Sequence, residues 1–511
     1  MPTLKLALIH SAAEHKQAAS NRAHLLTLFR QAGEAGAQLV AAPELSVSGY
    51  SFNSRQDIAP YAETADGPTL TALAALAKTY GFYACIGLAE RDPRTAILYN
   101  SAFALNPQGE LICRYRKINA ECRWACPGNP LADNTFATPW GRIGVLICSD
   151  SYHSLMPRIT ALRGADLLLI PANWPPTGLD PREIWRARAL ENGVYVAACN
   201  RTGMDLTMDC RQGPSAVFDP HGATLLDRSS PEAQLLLLDL PLNADHRLQS
   251  HAGRRLDGRR ATDVNDCCLN LAGVSDLTAF LRLPPPGVLA IHCLPAASEA
   301  LALAAVEHHL REQNTTHTLH ILPAGTYSDV ALERMQALCA ASGNAIALWR
   351  QGPEAGWHWF AGGQAPRHWP CNPGDATPPV LPQVDCGTAR VALAPLTALR
   401  HPEPILAVAK QGCDLVVVSD DWLSDDDRLL AGVRTIDALA VAICAPNGAG
   451  VWMTPEGHQR WEELLAGPGS ACRYLLDTRR TRKKRFQDRV DYDRLLRDDD
   501  ATANSPSCRQ P

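Results

Sequence analysis

Apolar residues in the first half of the chain come in short blocks, and the blocks switch between two spacings. Residues 4–10 form a compact apolar run that predicts a strand. Ser20 or Asn21 stands where a helix cap is expected, ahead of Leu25, Leu28, Phe29 and Ala32 at close to helical spacing. Gly33 and Gly36 help to end that helix. Residues 39–42 predict a short buried strand that runs into Glu44. A helix over 69–80 and a strand over 82–88 follow. Residues 143–148, 166–170 and 194–199 predict further strands with helices between them, and 216–219 and 235–240 complete the unit. Strand and helix in alternation argue for an α/β layered domain. In such domains catalytic groups tend to lie on loops at strand ends, which is where Glu44 and Cys148 fall.

The stiff segment Leu283-Pro284-Pro285-Pro286-Gly287 interrupts this pattern, and after it the pattern restarts. Gly164-Ala165-Asp166-Leu167-Leu168-Leu169 matches Gly412-Cys413-Asp414-Leu415-Val416-Val417, 248 positions further on. Arg142 matches Arg390 and Trp174 matches Trp422 at the same offset. Val196-Ala197-Ala198-Cys199 is echoed by Val441-Ala442-Ile443-Cys444, and Phe218-Asp219-Pro220-His221-Gly222 by Met453-Thr454-Pro455-Glu456-Gly457. Shared offsets over several elements predict a duplicated domain. The expected organisation is a first domain at 1–280, a linker at 281–287, a second domain at 288–496 and a disordered tail at 497–511. The second copy lacks the candidate chemistry. Pro43-Glu44 aligns with Pro323-Ala324, Cys148 falls on Leu396, and no lysine occurs between 285 and 390.

Composition narrows the function classes. A chain of 511 residues, 46% apolar and 20% charged, has the length and balance of two or three globular domains. The net charge of −5 gives no reason to expect a nucleic-acid partner. No apolar run reaches the length of a membrane span, and Thr3-Leu4-Lys5-Leu6-Ala7-Leu8-Ile9 reads as a strand rather than a signal peptide. Seventeen cysteines is an odd number at irregular spacing, and Cys122 and Cys126 lack a second pair at zinc-like spacing. Reduced thiols and a cytoplasmic location are therefore expected, with most cysteines acting as small buried hydrophobes. Six of the seven residues from Arg479 to Arg485 are basic, and the arginines at 254, 255, 259 and 260 occupy the equivalent place in the first copy. That repetition favours a structural role over a nucleic-acid or membrane patch.

Three scattered residues carry the candidate chemistry: Glu44, Lys117 and Cys148. A carboxylate, an ammonium and a thiol can together break a carbon–nitrogen bond without a metal. Each alone has a plainer reading, as a helix cap, a surface charge and a buried thiol. Their contexts are more specific. Pro43-Glu44 is followed by Gly49-Tyr50, Lys117 follows Tyr115-Arg116, and Cys148 opens Cys148-Ser149-Asp150. Pro171-Ala172-Asn173-Trp174, Arg186-Ala187-Arg188-Ala189-Leu190-Glu191-Asn192 and Asn200-Arg201-Thr202-Gly203 follow behind. In this order, over residues 4 to about 270, the segments resemble the nitrilase (carbon–nitrogen hydrolase) superfamily.

The resemblance implies an α-β-β-α sandwich for the first domain, and with the internal repeat it predicts two such domains in tandem, the second a pseudoenzyme. It implies Cys148 as nucleophile, Glu44 as general base and acid, and Lys117 as oxyanion stabiliser together with the Ser149 backbone N–H. Asn173 and Trp174 would support the site, and no metal or cofactor is expected. Many members carry a second glutamate in a longer loop after the lysine, and Glu121 is the nearest candidate here. Where relatives often have Phe-Pro-Glu, this chain has His153-Ser154-Leu155, so no subgroup's substrate transfers directly. The expected function is an amidase acting on a small carboxamide. A nitrilase or N-carbamoyl hydrolase would use the same triad, and an inactive binding or scaffold protein is the alternative of another class. Trp124, Trp174 and Trp185 hint at an aromatic-walled pocket, although tryptophans also fill cores. Relatives form dimers sheet to sheet, so the second domain is expected to stand in for a partner subunit as an internal pseudo-dimer. Further homo-oligomerisation is left open.

Overall fold

A computed structural model describes residues 2–251, 267, 269, 271, 274–312, 318–352, 354–370, 380–455 and 459–484. The chain divides into two compact units, the first ending at Asp257 and the second covering Gly258–Asp493. The division lies ahead of the proline-rich segment 281–287, which the second unit contains. The Arg390 guanidinium donates to the carbonyls of Leu281 (3.2 Å) and Arg282 (3.0 Å), so the start of this segment is tied into that unit rather than free. The expected tail at 497–511, Arg485 and the four arginines between 254 and 260 lie outside the described residues.

Unit 1 contains twelve strands: β1 (Thr3–His10), β2 (Leu39–Ala41), β3 (Tyr83–Arg91), β4 (Leu98–Leu105), β5 (Leu111–Arg116), β6 (Thr135–Thr138), β7 (Gly141–Val145), β8 (Leu167–Ala172), β9 (Tyr195–Asn200), β10 (Pro214–Phe218), β11 (Thr224–Ser229) and β12 (Gln234–Pro241). They form two six-stranded sheets, ordered β12-β1-β2-β3-β4-β5 and β11-β10-β9-β8-β7-β6. The centre of each sheet is parallel, β1-β2-β3 in one and β7-β8-β9 in the other, with antiparallel flanks. The sheets pack face to face through β1 against β9 and β3 against β8. Helices Ala18–Glu34 and Pro68–Tyr80 lie against each other beside the first sheet, and Leu155–Leu162 and Pro181–Asn192 pack against the second. The result is an α-β-β-α sandwich in which the central strands are buried on both faces. That burial accounts for their near-continuous apolar runs.

Two local expectations change. The first helix begins at Ala18, with Gln17 rather than Ser20 or Asn21 at the cap and no side-chain cap bond. Asn21 turns inward instead, where its amide donates to Glu14 O (2.7 Å) and Val47 O (2.8 Å) and accepts from Glu14 N–H (2.9 Å). Gly33 lies inside the helix, where a Cβ would strike the Tyr80 ring, so close packing rather than termination requires it. Strands β4, β5, β6 and β11 were not legible in the apolar pattern. Three of them, β5, β6 and β11, are edge strands with partly exposed residues.

Unit 2 repeats the arrangement. Its strands are β13 (Val288–Cys293), β14 (Thr318–Ile321), β15 (Ala345–Arg350), β16 (Gly356–Ala361), β17 (Arg367–Pro370), β18 (Gln383–Cys386), β19 (Ala389–Ala394), β20 (Leu415–Ser419), β21 (Ala440–Ala445), β22 (Gly448–Met453), β23 (Glu462–Ala466) and β24 (Cys472–Asp477). The sheets are ordered β17-β16-β15-β14-β13-β24 and β18-β19-β20-β21-β22-β23. Every pairing has the sense of its counterpart in unit 1. A shared side-chain device accompanies the shared topology. Asp166 Oδ2 accepts from Arg142 N–H (2.9 Å) and Oδ1 from the Ser250 hydroxyl (2.5 Å). Asp414 Oδ2 accepts from Arg390 N–H (2.9 Å) and Oδ1 from the Thr481 hydroxyl (2.6 Å). Four described residues of the basic run after β24 make comparable polar contacts. Arg479 pairs with Asp477, Arg480 with Glu462 and Arg482 with Asp414, and Lys484 donates to Cys413 O and Ala438 O.

Candidate active site

Each of the three candidate residues lies just beyond the end of a strand. β2 ends at Ala41, and Ala42-Pro43 carries the chain to Glu44. β3 passes so close beneath that a Cβ on Gly87 would lie 2.6 Å from Glu44 Cα and 2.7 Å from Pro43 O. The turn is fixed by Ser46, whose N–H donates to Gly87 O (2.9 Å) and whose hydroxyl donates to Pro43 O. Lys117 follows β5, and its N–H donates to Asn100 O on β4 (2.8 Å). Cys148 lies three residues beyond β7, at the start of the 3₁₀ turn Cys148–Ser151, with φ of 47°. Left-handed backbone at a non-glycine residue is strained, and here the turn over-determines it. Asp150 N–H donates to Ile147 O (2.9 Å) and the Ser151 hydroxyl to Cys148 O (2.7 Å). Buried Arg188, ion-paired to Glu191 (2.6 Å), donates to Ser151 O (2.8 Å) and Tyr152 O (2.6 Å) from behind.

The structure brings the charged groups into one buried cluster. Lys117 Nζ lies 2.7 Å from Glu44 Oε1 and 2.8 Å from Glu121 Oε1. The Glu44 and Lys117 side chains are 0% and 1% exposed. Asn100 Nδ2 donates to Glu44 Oε1 (2.6 Å) and Glu121 Oε2 (3.2 Å), and the Tyr50 hydroxyl donates to Glu121 Oε1 (2.6 Å). Glu44 Oε2 is buried and accepts no hydrogen bond from the protein. Burial, with the Glu121 charge beside it, holds the Glu44 carboxyl above its ordinary range, against the pull of Lys117 and Asn100. Burial would lift Glu121 as well, but Lys117, Tyr50 and Asn100 outweigh it and hold that carboxyl low. Burial opposes the charge on Lys117, and the two carboxylates more than restore it. Cys148 shares this field. Burial and then Glu44 push its thiol well up, while Lys117 and the Asn173 N–H favour the thiolate. A buried carboxylate with one open oxygen, raised toward neutrality beside a thiol, has the character of a general base. An ammonium held charged at the same place can stabilise a developing oxyanion.

The remaining candidates are held by contacts of their own. Glu121 enters the charged cluster directly, and the turn that follows is closed by Trp124 and Ala125 N–H donating to Glu121 O. The Ser149 carbonyl accepts from Asn119 Nδ2 (3.0 Å) and its hydroxyl donates to Asn119 O (3.3 Å). Asp150, part of the Cys148 turn, accepts from Asn119 N–H (2.7 Å), Ile118 N–H (3.3 Å) and the Tyr115 hydroxyl (2.7 Å). It thereby locks the lysine loop to the cysteine turn, and burial raises its carboxyl to about 6. Asn173 is buried, with Oδ1 accepting from the Cys210 thiol (3.3 Å). The backbone of Trp174 is held at both ends by the Asn200 amide (2.9 and 2.8 Å), and its half-buried ring meets Trp185 edge-on (6.0 Å) and Tyr152 (6.5 Å). Trp124 is a correction: it fills a small core with Leu45, Phe52, Ile58 and Leu98. Trp185 is likewise fully buried, which leaves Trp174 as the one exposed in part. His153 is half-buried, edge-on to Tyr152.

Sequence reasoning missed Asn100 and gave no role to Tyr50 or Asp150. The only sequence signal for Asn100 was a polar residue inside the apolar run of β4. Among the described residues no group of His, Cys, Asp or Glu is placed to hold a metal ion, and no helix is long and apolar enough to cross a membrane.

With a buried carboxylate, ammonium and thiol converging at the strand ends of an α-β-β-α sandwich, the chain is a carbon–nitrogen hydrolase of the nitrilase superfamily. The family model for carbon–nitrogen hydrolases matches residues 5–244. The nitrilase of Pyrococcus abyssi is 33% identical over 223 residues, which is 42% of this chain and 81% of that protein. The mouse omega-amidase NIT2 is 31% identical over 256 residues, 47% of this chain and 90% of that protein. Among solved structures, Saccharomyces cerevisiae Nit3, a member of branch 10 of the nitrilase superfamily, is 25% identical with a TM-score of 0.43, covering 47% of this chain and 90% of that one.

Proposed function

We propose that unit 1 is a thiol-dependent amidase that converts a small carboxamide to its acid and ammonia. The observation that carries this reading is the buried Glu44–Lys117–Glu121 cluster sharing one electrostatic field with the Cys148 thiol. Glu44 Oε2, the open carboxylate oxygen, takes the thiol proton as the sulfur attacks the amide carbon. The oxyanion that forms is stabilised by the Lys117 ammonium and the Ser149 N–H. Glu44 passes its proton to the nitrogen, the carbon–nitrogen bond breaks, and ammonia leaves a Cys148 thioester. Glu44 then deprotonates a water that attacks the thioester, and the acid departs with the thiol restored. Glu121 keeps Lys117 charged and in place throughout. Asn173 and Trp174 border the site.

Two relatives' names bear on the bond that is cut: one is an omega-amidase and another a nitrilase. The same base, ammonium and thiol would serve an amide, a nitrile or an N-carbamoyl compound, so nitriles and N-carbamoyl compounds belong in the same assay. Unit 2, in this reading, is a degenerate copy, since Ala324 and Leu396 stand where base and nucleophile would be. The test is ammonia release from a panel of carboxamides, ureido acids and nitriles, with Cys148→Ala beside the wild type. Release that disappears completely in the variant supports both statements. Release that survives in Cys148→Ala sinks the thiol mechanism. No release by the folded wild type from any compound sinks the amidase reading and favours a binding role.

A further inference from the structure

A neutral amide sits at the centre of the charged cluster, and the reaction outlined above gives it no part. Asn100 is 0% exposed, on β4 between β3 and β5. One residue makes three connections: its carbonyl accepts the Lys117 N–H (2.8 Å), and its Nδ2 reaches both Glu44 Oε1 (2.6 Å) and Glu121 Oε2 (3.2 Å). Its own Oδ1 is buried with no hydrogen-bond partner. A buried polar atom left in that state costs about 1–3 kcal/mol, so the residue is a poor choice for stability alone. Uncompensated polar groups of this kind mark sites where function overrides packing.

The residue type suits the place. Two carboxylates share one ammonium there, so the cluster carries excess negative charge. Aspartate would add a third carboxylate, and leucine would supply no donor. Lys117 Nζ and Asn100 Nδ2 both bond the same oxygen of Glu44, Oε1. A carboxylate torsion is broad and roughly two-fold, and two donors on one oxygen fix which oxygen is engaged. Oε2 is then the only oxygen left to accept a proton.

We propose that Asn100 is a positioning residue for the base, bridging Glu44 and Glu121 so that Glu44 presents Oε2 alone to the thiol. This rests on the proposed role of Cys148 as nucleophile. The donor also favours the ionised form of Glu44. Removing it raises the pH at which Glu44 becomes a base, and the acid limb of thiol reactivity moves up with it.

The experiment needs no substrate. Cys148 in the full chain is alkylated with iodoacetamide from pH 5 to 9, and the rate is followed by peptide mass for wild type, Asn100→Leu, Asn100→Ser and Asn100→Asp. In Asn100→Leu the pH of half-maximal rate should rise by about one unit. The serine hydroxyl should restore part of the shift, and Asn100→Asp should also move upward. A changed rate with an unmoved midpoint in Asn100→Leu means a purely structural role and overturns the proposal. If Asn100→Leu does not fold, near-isosteric Asn100→Asp decides, and a wild-type midpoint there overturns it equally. If wild-type Cys148 titrates as a free thiol and Glu44→Gln leaves its profile unchanged, the thiol reading itself has failed and the proposal falls with it.

Discussion

Replacing Lys117 by methionine isolates the electrostatics of the cluster, because the stem is retained and only the charge is lost. At an effective dielectric of about 20, each carboxylate contact at 2.7–2.8 Å is worth about 6 kcal/mol before desolvation is counted. Most of that offsets burial of the three charges. Removing one partner of a buried pair nonetheless costs about 3–5 kcal/mol, because the other partner is left behind uncompensated. Lys117→Met should therefore destabilise unit 1 by about 3–5 kcal/mol at pH 8. The pH dependence carries more information than the magnitude. In the wild type Glu121 is held low, so its stabilisation is present above its unfolded pKa of about 4.3 and is lost as pH falls through the lower folded value. Without the lysine both carboxyls rise above the unfolded value. The folded state then binds more protons, and the deficit grows as pH rises above about 4.3 and shrinks toward zero below it. Urea unfolding of both proteins from pH 4.5 to 8, followed by hydrogen exchange in β4 and β5, would report the difference for unit 1 alone. A deficit under about 1 kcal/mol at pH 8, or one that does not change with pH, would refute the claim that these charges depend on one another.

Other substitutions test the supports. Gly87→Ala places a methyl 2.6 Å from Glu44 Cα and should displace the base, lowering kcat/KM at least 100-fold for about 1–3 kcal/mol of stability in a melting measurement. Near-wild-type kinetics would show that the turn bearing Glu44 can give. Asp150→Ala leaves the Asn119 N–H and the Tyr115 hydroxyl unpaired, and should cost about 1–3 kcal/mol in chemical denaturation together with most of the activity. Arg482→Ala strips buried Asp414 of its two-pronged partner at 2.6 and 2.7 Å, and should weaken unit 2 by about 3 kcal/mol, read as earlier exchange in β19 and β20.

Much of the architecture could be read from the chain because the central strands are buried on both faces. Residues such as 166–170 and 194–199 announce themselves as unbroken apolar runs, and those runs lie at the middle of the sheets. The flanking strands left no comparable signal: β5 mixes buried and exposed residues, and β11 has no fully buried residue. The duplication was visible because Asp166 and Asp414, 248 positions apart, do the same work of holding a neighbouring N–H and a hydroxyl. The helix cap was misplaced because Asn21 has two backbone carbonyls and an N–H to satisfy inside the fold, and tertiary bonds of that kind outweigh a local capping preference.

By itself, the sequence determined the layered α/β class, the repeat, and the identities of the carboxylate, ammonium and thiol with their short motifs. These are properties of local pattern and residue chemistry, and they are written in consecutive residues. Only the tertiary structure decided that Glu44 and Glu121 each lie within 2.8 Å of Lys117 Nζ, that Asn100 and Tyr50 complete the cluster, and that Trp124 belongs to the core. The cluster depends on Glu44 and Lys117, 73 positions apart, being brought together from beyond the ends of β2 and β5. No periodicity encodes such a distance; it follows from how the sheets pair and how closely β3 passes beneath the base.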